Sequence, residues 1–143
     1  MDIDYPEYQH IAAASRTREE LWRRILELAN VWAMAEVGVW KGDFAAHILK
    51  QCAFITNYYM IDPWARLPDW DKPLNVETEV FNEVYAEAMK KTEFAAGRIV
   101  VLRGRTKDVI DNIPDGSLDF VYIDGDHTLR GITLDLIKLF PKI

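Results

Sequence analysis

Apolar residues recur along this chain with two kinds of spacing, one typical of helices and one typical of strands covered on both faces. Thr17 and Glu20 form a capping box, and the apolar residues that follow at helical spacing predict a first helix over residues 17–30. Short continuous apolar runs predict strands at residues 31–37, 58–61, 99–102 and 118–123. Further helices are predicted at residues 44–52, with Asp43 as the expected cap, and at 80–89, 106–112 and 129–140.

The alternation of strands and helices predicts an α/β, Rossmann-like fold with three layers, in which a mostly parallel sheet lies between helices. Residues 1–143 are predicted to form one domain. It consists of an N-terminal segment and helix over residues 1–30, followed by ligand-binding strand-helix units over residues 31–143. Ligands bind such sheets at the carboxyl ends of the strands. The side chains that follow each predicted strand are therefore the first candidates for chemistry.

Composition narrows the class of protein. Half of the 143 residues are hydrophobic, the net charge is -6 and the basic residues are scattered, which favours a soluble domain without a nucleic-acid partner. No apolar run approaches the roughly 18 residues of a membrane span, and the N-terminus is acidic, unlike a secretory signal. Cys52 is the single cysteine. We therefore expect a cytoplasmic protein with no membrane partner, no internal disulfide and no bound metal.

The loop after the first predicted strand carries Glu36, Gly38 and Gly42 in the pattern Glu-x-Gly-x-x-x-Gly. Glycines let a backbone turn sharply and approach a ligand, although glycines that serve turn geometry alone are an alternative. A dinucleotide site would require Gly-x-Gly-x-x-Gly, with room for a pyrophosphate. An acid at the first position instead suits a ligand that carries a positive charge or a hydrogen-bond donor.

Asp62 ends the second predicted strand, 20 positions after Gly42. A carboxylate at this place can accept hydrogen bonds from both hydroxyls of a ribose. The alternative is a turn aspartate that precedes Pro63.

The densest polar cluster follows the fourth predicted strand and consists of Asp124, Gly125, Asp126 and His127. Histidine titrates near neutral pH, so His127 or Asp126 is a candidate general base that removes a proton from a hydroxyl. The alternative is that Asp126 or Thr128 only caps the next helix.

These three motifs, in this order at consecutive strand ends, resemble those of class I S-adenosylmethionine-dependent methyltransferases. The match is to a small-domain family with Glu-x-Gly-x-x-x-Gly, Ile-Asp-Pro-Trp and Ile-Asp-Gly-Asp-His motifs, over about residues 30–143. The resemblance implies S-adenosylmethionine as cofactor and the methyltransferase form of the Rossmann-like fold. The cofactor residues it implies are Glu36 and Gly38 at the methionine moiety, Gly42 in the same loop, Asp62 at the ribose, Pro63 and Trp64 beside the adenine, and Asp124.

The turn after the third predicted strand matches the family in part. Thr106 stands where the family has a Ser or Thr that contacts the adenine, whereas Arg105 stands where the family has an acid. Asp124, Asp126 and His127 are the catalytic candidates. Related sugar O-methyltransferases place a divalent metal at the aspartate that matches Asp124, but the further carboxylates would lie beyond Ile143, so no metal is expected here.

The family's sheet has seven strands, and this sequence supplies four. We expect either a form truncated after the fourth strand and its helix, or an assembly in which a homodimer covers the exposed sheet edge. The predicted function is methyl transfer from S-adenosylmethionine to an oxygen or nitrogen of a small molecule. The alternatives are a non-catalytic nucleoside-binding or scaffold module and a nicotinamide-dependent oxidoreductase.

Overall fold

Six α-helices and four strands alternate along the part of the chain that a computed structural model describes, residues 5–71 and 73–143. The strands are β1 (Ala33–Val37), β2 (Asn57–Asp62), β3 (Ile99–Arg103) and β4 (Phe120–Ile123). The helices are α1 (Tyr5–Ala14), α2 (Arg18–Leu28), α3 (Asp43–Gln51), α4 (Thr78–Thr92), α5 (Thr106–Val109) and α6 (Leu129–Leu139). Short 3-10 segments follow α4, α5 and α6 at Glu93–Arg98, Ile110–Asn112 and Phe140–Lys142.

Of the two helix caps predicted from the sequence, the structure contains the one at the start of α2 but not the one at the start of α3. Thr17 accepts a hydrogen bond from the Glu20 amide at 3.1 Å, so α2 begins at the predicted capping box. The prediction that Asp43 caps α3 was wrong. The cap is Gly42, whose φ of +74° is open to glycine, while Asp43 is the first helical residue and pairs with Lys91 at 2.7 Å.

The helix α1 was not predicted separately, because its apolar residues, three of which are alanines, form no strong stripe. Pro6 and Glu7 in its first turn are the signals that indicate a helix start there.

The sheet is parallel throughout, with the strand order β3-β2-β1-β4. The chain runs outwards from β1 to β3 and then returns to the other side of β1 for β4. The order of strands therefore reverses between β1 and β4, the place where sheets of this kind commonly bind ligands. The predicted α/β fold is confirmed.

Different helices cover the two faces of the sheet. One apolar cluster joins α2, α3 and α4 to the sheet and includes Leu26, Ile48 and Val84. A second, smaller cluster includes Ala35, Ile61, Ile110 and Leu139 and covers the opposite face with α5, α6 and the segments that follow them. Each β1 residue is buried because the strand is covered on both sides.

In the described residues, β4 pairs with β1 alone and so forms one edge of the sheet. Beside it, α6 and the segment after it expose large apolar side chains at Leu129, Leu136, Ile137 and Phe140. An open groove of about 490 Å³ lies along α6, and no predicted site residue lines it. The homodimer that would cover this edge stays a prediction. None of the helices in the described ranges has both the length and the apolar character to cross a membrane.

Candidate active site

The carboxylate of Glu36 lies at the end of β1, almost completely enclosed. Its residue is 2% exposed, and one oxygen accepts a 2.7 Å hydrogen bond from the hydroxyl of Tyr58 on β2. Burial raises the pKa of Glu36 to about 8, although the hydrogen bond from Tyr58 acts in the opposite direction. The nearby carboxylates of Asp62 and Asp124 raise this pKa further. Glu36 is therefore mostly protonated at neutral pH, and a cation placed beside it would favour ionisation.

Gly38 lies where the loop after β1 meets the loop after β4. Its φ is +87°, and a Cβ there would stand 2.3 Å from the carbonyl oxygen of Asp124. Only glycine fits, because both the conformation and the space exclude a side chain. This contact holds two of the predicted site loops against each other.

Gly42 serves helix packing. A Cβ there would meet the Cα of Ala88 on α4 at 3.1 Å, and the residue is buried between α3 and α4. The structure thus gives Gly42 a turn and packing role, and its contact with a cofactor stays a prediction.

Asp62 fastens the loops after β1 and β2. One carboxylate oxygen accepts a 2.9 Å hydrogen bond from the Trp40 amide and the other a 2.7 Å bond from the Trp64 amide. The residue is 8% exposed, and burial raises its pKa, opposed by these backbone donors. A carboxylate has about four acceptor positions, so Asp62 can hold both loops and still accept hydrogen bonds from a ligand.

The position of the Trp64 indole contradicts the predicted contact between this ring and an adenine. Trp64 has no exposed surface, its ring nitrogen donates to the Trp40 carbonyl at 2.8 Å, and its ring packs against Tyr85. The ring belongs to the core and cannot border an adenine in this conformation. Pro63 is partly exposed beside it and is the member of the pair that a ligand can reach.

Trp70, in the loop between β2 and α4, has a buried indole N–H without a hydrogen-bond partner in the described part of the chain. The loop itself is well connected, since the Asn75 amide group bonds the backbone of Leu67 and Trp70.

Thr106 and Arg105 follow β3 and make contacts within the protein. Thr106 is 5% exposed and its side chain hydrogen-bonds the buried carboxylate of Asp135 on α6. Thr106 is therefore buried between α5 and α6, and its adenine contact stays a prediction. Arg105 forms an ion pair with Asp69 from the loop after β2.

The cluster after β4 separates into a helix cap and an exposed pair. Asp126 accepts hydrogen bonds from the amide and the hydroxyl of Thr128, both at 3.0 Å. Thr128 is in turn the cap of α6 and accepts from the Gly131 amide at 3.0 Å. The capping role is thus observed for Thr128, and Asp126 supports that cap by accepting from it, while the catalytic role of Asp126 stays a prediction.

His127 and Asp124 form the exposed pair. The His127 Nε2 atom lies 3.5 Å from a carboxylate oxygen of Asp124, with 73% and 42% of the two side chains exposed. A histidine beside a carboxylate at the open end of the sheet has access to solvent and to a bound molecule. Within the described ranges, no three His, Cys, Asp or Glu side chains are grouped in a way that could hold a metal ion.

Sequence reasoning missed two residues that shape this site. Tyr58 lies in an apolar strand and reads as a core aromatic, so nothing in its spacing indicates the hydroxyl bond to Glu36. Asp135 interrupts the apolar stripe of α6, and a buried-type position occupied by an acid is a usable signal. Burial raises the pKa of Asp135.

The fold is a Rossmann-like α/β domain, and the buried acids and the histidine and carboxylate pair lie at the strand ends where such domains bind ligands. A family model described as a methyltransferase domain matches residues 35–143, and the chain belongs to that family. No curated protein matches the chain.

Among solved structures, the chain is similar to one described as an O-methyltransferase family protein from Burkholderia thailandensis. The two are 15% identical with a TM-score of 0.42, and the match covers 80% of this chain and 32% of that chain. The present chain thus spans about a third of the length of that structure.

Proposed function

We propose that this domain binds S-adenosylmethionine at the carboxyl ends of β1 and β2 and transfers its methyl group to an oxygen or nitrogen of a small molecule. The observation that carries the proposal is the enclosed carboxylate of Glu36, 2% exposed, at the sheet end of a chain from a methyltransferase family. Burial keeps this carboxyl group mostly protonated, and a cationic ligand beside it would supply the charge partner with which it ionises.

The two buried carboxyl groups, Glu36 and Asp62, suit the functional groups of this cofactor. Glu36 would receive the ammonium group of the methionine moiety, and Asp62 would accept from the ribose hydroxyls while its backbone bonds hold it in place. The wider glycine spacing around Gly38 and the acid that precedes it argue against a pyrophosphate and so against a nicotinamide dinucleotide.

His127 is the residue best placed to accept a proton from a methyl acceptor. It is exposed beside Asp124, whereas Asp126 is occupied by the cap of α6. When bound, S-adenosylmethionine supplies an activated methyl group on a sulfonium. The protein's own contribution is to align the acceptor, exclude water and hold the proton that leaves it.

Calorimetric titration with S-adenosylhomocysteine tests the binding step. The wild type should bind, and Glu36→Gln should weaken binding by about tenfold or more because an ammonium loses its carboxylate partner. Glu79→Gln, an exposed acid in the first turn of α4, is the matched control and should bind as the wild type does. Equal affinity of the two variants would contradict the role of Glu36.

A titration and an activity screen distinguish the proposed methyltransferase from an oxidoreductase and from a non-catalytic binding module. Binding of NADH in place of S-adenosylhomocysteine, detected by fluorescence, would indicate an oxidoreductase. Binding of S-adenosylhomocysteine without methyl transfer to any member of a broad panel of hydroxyl and amine acceptors would indicate a binding module.

A further inference from the structure

Two tryptophans, Trp40 in the loop after β1 and Trp64 in the loop after β2, hold the Asp62 carboxylate. The amide of Trp40 donates to one carboxylate oxygen at 2.9 Å, and the amide of Trp64 donates to the other at 2.7 Å. The indole Nε1 of Trp64 in turn donates to the Trp40 carbonyl at 2.8 Å. Three hydrogen bonds therefore join Asp62 and the two tryptophans in one closed ring.

Both tryptophans have a backbone conformation that large side chains rarely adopt. The φ of Trp40 is +51° and that of Trp64 is +39°. Among the described residues, Asn30 is the other non-glycine residue with a positive φ, and asparagine tolerates this conformation better than tryptophan does. Left-handed conformations of bulky residues persist where surrounding contacts enforce them, and they occur often at ligand sites. Here both strained residues donate to the same carboxylate.

Contacts from α4 and β3 fix Trp64 on several sides. Its side chain is fully buried, and its ring packs against Tyr85 with the centroids 5.0 Å apart. Its carbonyl accepts a 2.8 Å hydrogen bond from the guanidinium of Arg103. Trp40 is less enclosed, and its ring meets the edge of Phe81 at 6.0 Å. Trp64 is therefore the firmly held member of the pair, and its indole is what holds the Trp40 carbonyl.

The orientation of the Trp40 amide depends on that carbonyl. The amide and the carbonyl belong to the two rigid peptide units on either side of the Trp40 Cα, so the φ and ψ of Trp40 set their relative orientation. An indole donor on the carbonyl thus favours the conformation in which the amide points at Asp62. With one backbone donor on each oxygen, the carboxylate cannot rotate freely, and each oxygen keeps an acceptor position for a ligand.

We propose that the indole N–H of Trp64 is a positioning group for the ribose of the cofactor, an assignment that rests on the proposed function. It keeps Trp40 in its left-handed conformation and thereby holds Asp62 in the orientation that accepts the ribose hydroxyls. Trp64 then determines selectivity for a nucleoside with ribose hydroxyls over one without them, although its own side chain has no exposed surface.

Two ligands measure this selectivity by calorimetry: S-adenosylhomocysteine, and its 2′,3′-dideoxy analogue, which lacks the hydroxyl donors. The wild type should prefer S-adenosylhomocysteine. Trp64→Phe keeps an aromatic ring in the core without the N–H, so it should weaken S-adenosylhomocysteine by about tenfold and the dideoxy analogue by less than about twofold. Trp32→Phe, just before β1 at the opposite end of the sheet, is the matched control and should leave both affinities unchanged.

A second measurement uses the wild type alone and does not depend on the folding of a variant. Ligand hydroxyls on Asp62 and the indole bond of Trp64 favour the same loop conformation, so each strengthens the other by the same factor. At saturation, S-adenosylhomocysteine should slow hydrogen exchange of the Trp64 indole N–H, followed by NMR, about tenfold more than the dideoxy analogue does. Exchange of the Trp40 amide should slow in parallel.

The outcomes distinguish this inference from the proposed function. If Trp64→Phe keeps the wild-type preference, or loses affinity for both ligands equally, Trp64 has a structural role only and the cofactor assignment stands. If Trp64→Phe does not fold, the exchange measurement decides, and equal protection by the two ligands would overturn the inference. A wild type that binds both ligands equally would remove the ribose role of Asp62 and this inference with it. A wild type that binds neither ligand would overturn the proposed function as well.

Discussion

The acids that follow β1 and β2 lie in a different environment from the acids that follow β4. Glu36 and Asp62 are 2% and 8% exposed, and each is held by a defined donor, the Tyr58 hydroxyl in one case and two backbone amides in the other. Asp124 and His127 are largely exposed. Under the proposed function, the buried acids form a binding half that is arranged before a ligand arrives, and the exposed pair forms a reacting half with room to adapt to an acceptor.

The largest effect is expected where the two halves touch. Gly38→Ala places a Cβ 2.3 Å from the Asp124 carbonyl oxygen at a φ of +87°, so both loops must move. We expect a loss of roughly 2–4 kcal/mol in the free energy of unfolding, measured by urea denaturation. Gly97→Ala is the control, because a Cβ there has nothing within 4 Å. Equal stability of the two variants would show that the halves do not depend on this contact.

The second prediction concerns the buried half and its pH dependence. The folded pKa of Glu36, about 8, exceeds the ordinary value of 4.5, so the folded state holds a proton that the unfolded state has lost between these pH values. Stability should therefore fall as pH rises through this window and level off above it, by roughly a few kcal/mol. Glu36→Gln is neutral in both states and should lack this part of the fall. Parallel stability curves of wild type and variant from pH 5 to pH 9 would contradict the prediction.

The third prediction separates the two roles within the exposed half. Asp126→Ala removes the acceptor of two Thr128 bonds and should cost about 1 kcal/mol of unfolding free energy. His127→Ala should change stability by less than about 0.5 kcal/mol, because the side chain is exposed. Once an acceptor is known, His127→Ala should instead show the larger loss of methyl transfer at equal S-adenosylhomocysteine affinity. A larger loss of methyl transfer in Asp126→Ala than in His127→Ala would indicate that Asp126 is the general base.

The smallest effect is expected at Arg105. Its ion pair with Asp69 is at the surface, where water and salt weaken such pairs. Arg105→Gln should leave thermal unfolding within experimental error and S-adenosylhomocysteine affinity close to that of the wild type. A clear loss of affinity would show that this pair holds the loop after β2 in a binding conformation.

The sequence predicted the elements well because their signals are local. All four strands lie within or close to the predicted apolar runs, and α2 begins at its capping box. The errors concern contacts between distant segments. The cap of α3 is Gly42, which has a positive φ and packs against Ala88 of α4, and Trp64 lies in the core, where its indole reaches the Trp40 carbonyl. Neither contact has a signature in the spacing of nearby residues.

By itself, the sequence determined the alternation of strands and helices and the presence of an acid at the end of β1, β2 and β4, because periodicity and turn chemistry are properties of short segments. The tertiary structure decided the role of each polar group. Burial and the Tyr58 hydroxyl set the state of Glu36, the hydroxyl and amide of Thr128 occupy Asp126, and the approach of α2 places Arg18 over the ring of Phe44. These roles depend on distance and solvent exposure, which only the packed chain defines.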